Sequence, residues 1–236
     1  MTRRPKRSYE VVAVAPSEGG FALLLDRKPA KFNGAVIVLP TVMLAEAVAQ
    51  EWRGQEKLLD PERMRLTVLA TAALARVPRA RGEVIEHILG YGHNELLCYR
   101  AAEPPELAAR QKAQWDPLLE WIQARHAVRL VADAGISFIE QPVDAPVRMQ
   151  EIVCAFDDFE LAALDAAASL CASFVVGLAL IERKIGADEA FAISHLDELY
   201  QAEKWGHDAE AESRHTRILA ELLAIERFIS LLKDSQ

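Results

Sequence analysis

The sequence predicts an α+β protein in which a small β-rich N-terminal domain precedes a larger, mainly helical C-terminal domain. The first 40 residues contain short β-branched runs separated by turn signals, which is typical of strands and hairpins. After Pro40, apolar residues recur at helical spacing between residues that begin and end helices. We therefore expect a β-rich domain of residues 1–60 with a trailing helix, and a mainly helical domain of residues 61–236 with a candidate short hairpin over 128–140.

The N-terminal strands follow from local turn chemistry. Residues 9–15 form a β-branched run, the Ser-Glu-Gly-Gly cluster at 17–20 predicts a turn, and residues 21–25 predict the second strand. Asn33-Gly34 predicts a type I′ hairpin, since that turn needs positive φ at both central positions. Residues 35–39 would then form the returning strand.

Proline and capping residues mark the next helices. Thr41 can cap a helix that runs to about residue 58, and Asp60-Pro61-Glu62 predicts a helix that ends before Pro78. A third helix covers about 82–91. Pro105 opens another, and Asp116-Pro117 predicts a fresh helix start.

The C-terminal half predicts a hairpin and then long helices. Residues 128–132 and 136–140, joined by Asp-Ala-Gly, predict the hairpin, and Pro146 begins a helix to about residue 156. Asp157 or Asp158 can cap a long alanine-rich helix that ends at a left-handed Gly186. Its uncharged run, 166–181, is shorter than the roughly 20 residues of a membrane span, so it predicts a core helix.

The last stretch predicts one long helix to about residue 232, or two helices with a break. Ser194, with Asp197 three residues later, resembles a capping box. A glycine at 206 inside this stretch costs about 0.5–1 kcal/mol relative to alanine, so it indicates a bend or a close packing contact.

Composition and charge limit the functional classes. A net charge of −8 argues against a general nucleic-acid binder, which needs a basic surface. Residues 151–236 hold 17 acidic and 7 Lys/Arg residues, a net of −10, which indicates either a solvated face or a surface for a basic partner. Cys98, Cys154 and Cys171 have no Cys-x-x-Cys spacing and predict free thiols in a reducing compartment. The basic start is too short for a cleavable signal or transit peptide, and the run 166–181 is too short for a membrane span, so we expect a soluble protein without membrane insertion.

Enzyme and metal motifs do not emerge from the sequence. It contains no Gly-x-Gly-x-x-Gly, no phosphate loop, no Gly-x-Ser-x-Gly and no His-Glu-x-x-His. Glu212 and His215 form a Glu-x-x-His pair, but a ferritin-like site needs two such pairs, and none of the other five histidines has a glutamate three residues before it. We therefore predict no catalytic residue, no metal site, no cofactor and no small-molecule substrate.

The most informative helix face lies near the C-terminus. Leu196, Leu199 and Tyr200 form an apolar stripe that continues as ionisable residues: Glu203, His207, Glu210 and Arg214. Trp205-Gly206 interrupts this polar part, and a large aromatic residue such as tryptophan often anchors a partner at an interface. The pattern alone leaves two interpretations about equal: a helix that leaves the core or pairs Glu203 internally with an arginine, or a partner-binding surface.

The chain resembles a known family over nearly its whole length. Residues 196–212 are similar to the signature of the F-type ATP synthase alpha-subunit assembly chaperones: an acidic and aromatic lead, a glutamate just before Trp-Gly, then an acidic run. Further blocks agree in order: Leu25-Asp26-Arg27-Lys28-Pro29; Glu51-Trp52 with Gln55; Asp60-Pro61 with Met64, Leu66 and Thr67; Leu96-Leu97-Cys98-Tyr99-Arg100; Gln111 with Trp115-Asp116-Pro117-Leu118-Leu119 and Trp121; and Leu222-Leu223 with Arg227-Phe228. One departure is the stretch 71–75, which lacks the acid that the family usually carries there.

The resemblance implies a chaperone that binds the newly made alpha subunit, prevents its aggregation and is displaced by the beta subunit. It implies a bacterial cytoplasm, or the mitochondrial matrix for eukaryotic relatives. The family's important acid matches Glu203 best, with Glu198 and Asp197 as alternatives. The implied partner-binding residues are Asp197, Glu198, Glu203, Trp205, Gly206, Asp208 and Glu210.

Two rival hypotheses stay open at this point. A helical adaptor could bind an unrelated protein through the acidic C-terminal half. An enzyme could instead use the face formed by Glu203, His207, Glu210 and His215. Elemental analysis tests the second hypothesis if the enzyme holds a metal, and identification of a co-purified protein tests the first.

Overall fold

A computed structural model describes residues 5–32, 34–135, 137–206 and 208–233. Its contacts group the chain into two compact units, each built from separate stretches. The first comprises Met1–Arg81, Asp158–Ala163 and Arg227–Gln236, and the second comprises Gly82–Asp157 and Leu164–Glu226. The predicted fold class, a small β-rich N-terminal region before a mainly helical remainder, is confirmed. The single domain boundary at residue 60 stays a prediction.

The N-terminal strands form two small antiparallel sheets. In the first sheet, β2 pairs with each of the other three strands; in the second, the two strands pair with each other. The strands are β1 (Val12–Ser17), β2 (Gly20–Leu25), β3 (Lys28–Pro29), β4 (Lys31–Phe32), β5 (Ala35–Val36) and β6 (Val38–Leu39), of which β4 and β5 form the second sheet. The predicted hairpins at 17–20 and 33–34 are confirmed by the pairing of their strands, although Asn33 itself lies outside the described residues.

The first helices follow the sheet. Helix α1 (Val42–Arg53) begins as predicted, because the Thr41 hydroxyl accepts a hydrogen bond from Leu44 N at 3.1 Å. The same hydroxyl donates to the Leu231 carbonyl oxygen at 2.7 Å. The helix ends at Arg53, five residues before the predicted end near residue 58, with Gly54 as its C-cap.

Helix α2 (Arg65–Thr71) receives its N-terminal cap from α1. The Glu51 carboxylate accepts hydrogen bonds from Leu66 N and Thr67 N, both at 2.8 Å, and from Thr67 Oγ1 at 2.7 Å. These bonds satisfy backbone donors that the first turn of a helix leaves unpaired. Burial raises the pKa of Glu51 despite these bonds.

A predicted helix end before Pro78 is wrong. A turn of π-helix, Ala72–Arg76, leads directly into α3 (Val77–His93), so Pro78 lies in the first turn of that helix. The Val77 N–H donates to the Ala72 carbonyl oxygen, so Pro78 lies within a continuous helical stretch, where a proline removes one backbone hydrogen bond and favours a kink. The backbone leaves helical geometry at Ala80 instead, with φ −137° and ψ 35°.

A short strand pair replaces the hairpin expected over 128–140. Strand β7 (Tyr99–Arg100) pairs in parallel with β8 (Asp133–Ala134), and β8 is the only strand among the described residues of that stretch. The Gln141 side chain accepts a hydrogen bond from Val131 N at 2.8 Å and donates to Val131 O at 3.0 Å. These contacts use backbone groups that the hairpin would need; Ile136 lies outside the described residues.

Helix α4 (Pro105–His126) continues through Pro117, so the predicted restart at Asp116 is wrong. Trp115, Leu118 and Ile122 are buried on either side of the proline, and the Trp115 indole N–H donates to the Ile193 carbonyl oxygen at 3.0 Å. A proline inside a helix costs about 3 kcal/mol. Burial of several large side chains on one face offsets a cost of that size.

The long alanine-rich helix is broken in two. Helix α5 (Asp144–Ala155) precedes it. The predicted helix is divided into α6 (Asp158–Cys171) and α7 (Phe174–Ile181). Between them, Ala172 has φ 48° and Ser173 caps α7. All eight residues of α7 are buried, so the second half of the uncharged run is core as predicted, whereas Ser169 and Ala172 in its first half are exposed. Gly186 has φ −87°, so the predicted left-handed end is wrong at that residue; Arg183 has φ 60°.

Three helices complete the chain: α8 (Ala187–Ser194), α9 (Leu196–Trp205) and α10 (Ala209–Lys233). The predicted capping box is wrong, because Ser194 ends α8 and its hydroxyl donates to the Ala190 carbonyl oxygen at 2.7 Å. The alternative of two helices with a break is confirmed at Gly206. Across the described residues, no helix combines the length and the apolar character that crossing a membrane requires.

Candidate partner-binding surface

The seven predicted partner-binding residues lie on α9, on α10 and in the short connection between them, all in the second unit. The connection begins at Gly206, which has φ 97° and donates its N–H to the Ala202 carbonyl oxygen at 3.0 Å. Apart from its two chain neighbours, no described residue has an atom within 4 Å of the position that a Cβ would occupy. The glycine therefore serves the backbone turn and not close packing. His207, named in the enzyme hypothesis, lies outside the described residues.

Trp205 is the large apolar side chain of this surface. Its side chain is 79% exposed, and it lines a cleft of about 400 Å³ between α9 and α10. The cleft also contains three acidic residues: Glu198, Asp208 and Glu212. An exposed indole beside several carboxylates is typical of a contact surface, since aromatic residues supply large contact area at interfaces.

Glu203 pairs inside the second unit. Its Oε2 lies 2.7 Å from Arg110 Nη1 on α4. Arg110 also contacts Glu106 at 3.0 Å, and Glu106 accepts from Lys204 Nζ at 2.8 Å and from the Tyr200 hydroxyl at 3.2 Å. The structure thus places Glu203 in an ion-pair network that joins α4 to the last turn of α9. Of the two interpretations that the sequence left open, the internal pair with an arginine is present.

Opposite charges in this network favour the ionised forms of Arg110 and Glu106. The Glu203 carboxylate raises the pKa of the Arg110 guanidinium, and the hydrogen bond from Lys204 lowers the pKa of Glu106. Both cations also lie over the Tyr200 ring, at 5.1 Å for Arg110 and 5.2 Å for Lys204. Four charges and one aromatic ring therefore fix the turn that ends at Trp205.

We expect Glu203→Arg to loosen this turn, because it places a third positive charge beside Arg110 and Lys204. Native-state hydrogen exchange should show severalfold faster exchange of the amides of residues 201–205. The double variant Arg110→Glu/Glu203→Arg recreates the pair with its polarity reversed and should restore slow exchange. Equally fast exchange in the double variant would show that the pair does not order the turn.

Asp197 and Glu198 also have partners within the second unit. Asp197 Oδ1 accepts a hydrogen bond from Nε2 of the buried Gln111 at 2.8 Å. Glu198 contacts Arg214, and its Oε2 lies 2.9 Å from His215 Nε2. Burial opposes ionisation of Glu198, but the hydrogen bond with His215 and the charge of Arg214 outweigh it and lower its pKa. Both acids therefore hold α9 in place.

The remaining two predicted acids lie at the start of α10. Asp208 accepts from Glu210 N at 3.4 Å and Ala211 N at 3.3 Å, which is the geometry of an N-cap. Glu210 is exposed on the first turn. Within the part of the chain that the structure describes, no three acidic, histidine or cysteine side chains are grouped so that they could hold a metal ion.

The structure contains a buried carboxyl group that the sequence pattern does not indicate. Glu95 is 1% exposed and accepts hydrogen bonds from Ser173 Oγ at 2.5 Å, Val175 N at 3.1 Å and Leu97 N at 3.2 Å. Burial raises its pKa to about 7, although these donors act in the opposite direction. No local pattern indicates this role, since Ser173 lies 78 residues further along the chain.

Comparison with known proteins identifies the family. The model of the ATP12 chaperone protein family matches residues 6–123, half of this chain. Protein atp12, mitochondrial, of Schizosaccharomyces pombe is 24% identical over 95% of this chain and 82% of its own length. The crystal structure of Atp12 from Paracoccus denitrificans is 35% identical, with a TM-score of 0.91 over 97% of this chain and 99% of that one. The Atu1473 protein of Agrobacterium tumefaciens gives the same identity and TM-score over 97% of this chain and 87% of its own.

The solved structures share both sequence and fold with this chain over nearly its full length. The resemblance to the ATP synthase assembly chaperones, first indicated by the sequence blocks, is confirmed at the level of the family. The chain belongs to the ATP12 chaperone protein family.

Proposed function

We propose that this chain is an assembly chaperone of F-type ATP synthase that binds the unassembled alpha subunit until the beta subunit replaces it. Membership of a chaperone family supports the first part of this proposal. The resemblance of residues 196–212 to the alpha-subunit chaperone signature supports the choice of partner. We propose the bacterial cytoplasm as the compartment, and the mitochondrial matrix for eukaryotic relatives.

The observation that carries the proposal is the exposed Trp205 at the break between α9 and α10. An unassembled subunit exposes an apolar patch that would otherwise aggregate, and a holding chaperone must cover part of it. Trp205 provides an apolar anchor for such a patch. The acidic residues nearby would govern orientation and association rate more than affinity, which suits a complex that must later be released.

The proposed site divides into contact residues and positioning residues. Trp205, Asp208 and Glu210 are exposed and can meet the partner directly. Asp197, Glu198 and Glu203 have partners on α4 or α10, and Gly206 supplies the turn. We infer that these four residues act by holding the contact residues in place.

Co-expression with the host's alpha subunit tests the proposal. We expect soluble alpha subunit in a complex with this chain, and release of the alpha subunit when the beta subunit is added. Alpha subunit that aggregates regardless, with nothing co-purifying, would remove it as the partner. A different protein recovered in stoichiometric complex would favour the adaptor hypothesis.

A further inference from the structure

We propose that the cleft between α9 and α10 receives an arginine side chain of the partner, stacked on Trp205. The proposal deepens the proposed function by naming the chemistry that the surface recognises. It rests on that function only for the partner's identity, because the cleft and its charges are features of this chain alone.

The size and lining of the cleft suit a single long side chain. Its volume of about 400 Å³ lies at the lower end of the roughly 300–1,000 Å³ typical of ligand pockets. Trp205 and Gly206 border it at the end of α9, and Asp208 borders it at the start of α10. Ala202 and Ala211 also line the cleft, and their methyl groups can contact the methylene stem of an arginine.

The charge of the cleft favours a cation. Among the described residues, its ionisable lining comprises Glu198, Asp208, Glu212, Arg214 and His215. Arg214 is committed to Glu198, which also contacts His215, so the positive charge within the cleft is already paired. Asp208 contributes a further carboxylate, whose hydrogen bonds within the described residues are two long ones from the backbone, at 3.4 and 3.3 Å. An acidic side chain entering the cleft would be repelled, whereas a basic one gains a carboxylate partner.

The same chain shows how it stacks arginine elsewhere. Arg110 lies 5.1 Å from the Tyr200 ring centre and pairs with Glu203. Arg100 lies 5.1 Å from Trp115 and pairs with Asp116 at 2.8 Å. In each case the guanidinium contacts both an aromatic ring and a carboxylate.

Trp205 shares its cleft with carboxylates, but among the described residues no cation lies over its ring. None of the cation–aromatic contacts among the described residues involves it, although its ring is the most exposed of the large apolar side chains of α9 and α10. Arginine fits better than lysine, because a planar guanidinium stacks on an aromatic face and is less strongly hydrated than an ammonium group. The partner would thus complete an arrangement that this chain already uses internally.

Fluorine NMR of the full-length chain tests the proposal without any partner protein. The chain has four tryptophans, so labelling with 5-fluorotryptophan gives a small set of resonances, and Trp205→Phe assigns the relevant one. The probes are three capped tripeptides, Gly-Arg-Gly, Gly-Lys-Gly and Gly-citrulline-Gly. We expect the arginine peptide to shift the Trp205 resonance saturably and to bind roughly tenfold more tightly than the uncharged citrulline peptide.

Two matched variants test which carboxylate of the chain contacts the arginine peptide. Asp208→Asn keeps a residue that can cap α10 but removes the carboxylate, and should weaken arginine-peptide binding severalfold. Asp188→Asn removes an exposed carboxylate in the first turn of α8, which belongs to the same unit but does not line the cleft, and should have little effect.

Each contrary outcome overturns the proposal. Equal binding of the citrulline and arginine peptides would show that charge is not recognised, and equal binding of the lysine peptide would exclude a guanidinium-specific site. An unshifted Trp205 resonance with every peptide would show that the cleft takes no such side chain. The co-expression experiment can succeed or fail independently of these results, so failure of the cleft and failure of the proposed partner are distinguishable.

Discussion

Trp205→Ala is expected to weaken the proposed binding of the alpha subunit by about 2 kcal/mol, or roughly 30-fold in Kd, with the fold intact. The side chain is 79% exposed, so its removal leaves no cavity in the core. Truncation of a central aromatic anchor is among the costliest changes at protein interfaces. Isothermal titration calorimetry of the variant with purified alpha subunit gives the affinity. Thermal unfolding of the variant alone should give the same midpoint as the natural chain.

Phe138→Ala is the matched control for this variant. Phe138 belongs to the same unit and is 75% exposed, but it lies outside the proposed surface. Its truncation removes a similar exposed aromatic area and should leave the affinity unchanged. If both variants bind like the natural chain, or if both lose affinity equally, Trp205 is not the specific anchor.

The second large effect is a loss of stability with rising pH that originates at Glu95. Burial holds the pKa of this carboxyl at about 7 in the folded chain, against 4.5 for an ordinary glutamate. Between these values the folded state keeps a proton that the unfolded state releases. The contribution of protonated Glu95 to the free energy of unfolding is therefore complete below about pH 4.5 and is lost as the pH rises through about 7.

The size of the effect follows from the same two values. The gap between 4.5 and about 7 corresponds to about 3 kcal/mol of unfolding free energy. Urea unfolding at several pH values measures it. Glu95→Gln removes the titrating group, so the difference in unfolding free energy between this variant and the natural chain should change by about that amount between pH 4.5 and 8.

Glu120→Gln provides the control, since Glu120 is exposed on α4. Its unfolding free energy should follow that of the natural chain at every pH. A Glu95→Gln variant with the same pH dependence as the natural chain would mean that Glu95 is ionised throughout and that its hydrogen-bond donors outweigh burial.

Local backbone chemistry explains which elements could be predicted from the sequence. Thr41 caps α1, the 17–20 turn joins β1 to β2, and the chain breaks at Gly206, because each feature depends on a few adjacent residues. The same rules failed at Pro117. There, packing of the buried Trp115 and its neighbours outweighs a local preference that would have ended the helix.

The position of the candidate surface is a prediction from the sequence, whereas its contacts required the structure. The Trp-Gly pair and the apolar stripe indicate the surface, since both are visible within residues 196–212. The partner of Glu203 is not visible there, because Arg110 lies 93 residues away and only the tertiary structure brings the two together. Long-range ion pairs of this kind leave no periodicity in a single sequence.

The composition of the first unit has a consequence for biosynthesis. That unit includes Arg227–Gln236 as well as the N-terminal strands, and Thr41 Oγ1 at the start of α1 donates to the carbonyl oxygen of Leu231, 190 residues later. A ribosome must add all of those residues before this hydrogen bond can form. The strands that are translated first therefore cannot complete this unit until residues 227–233 have emerged from the exit tunnel.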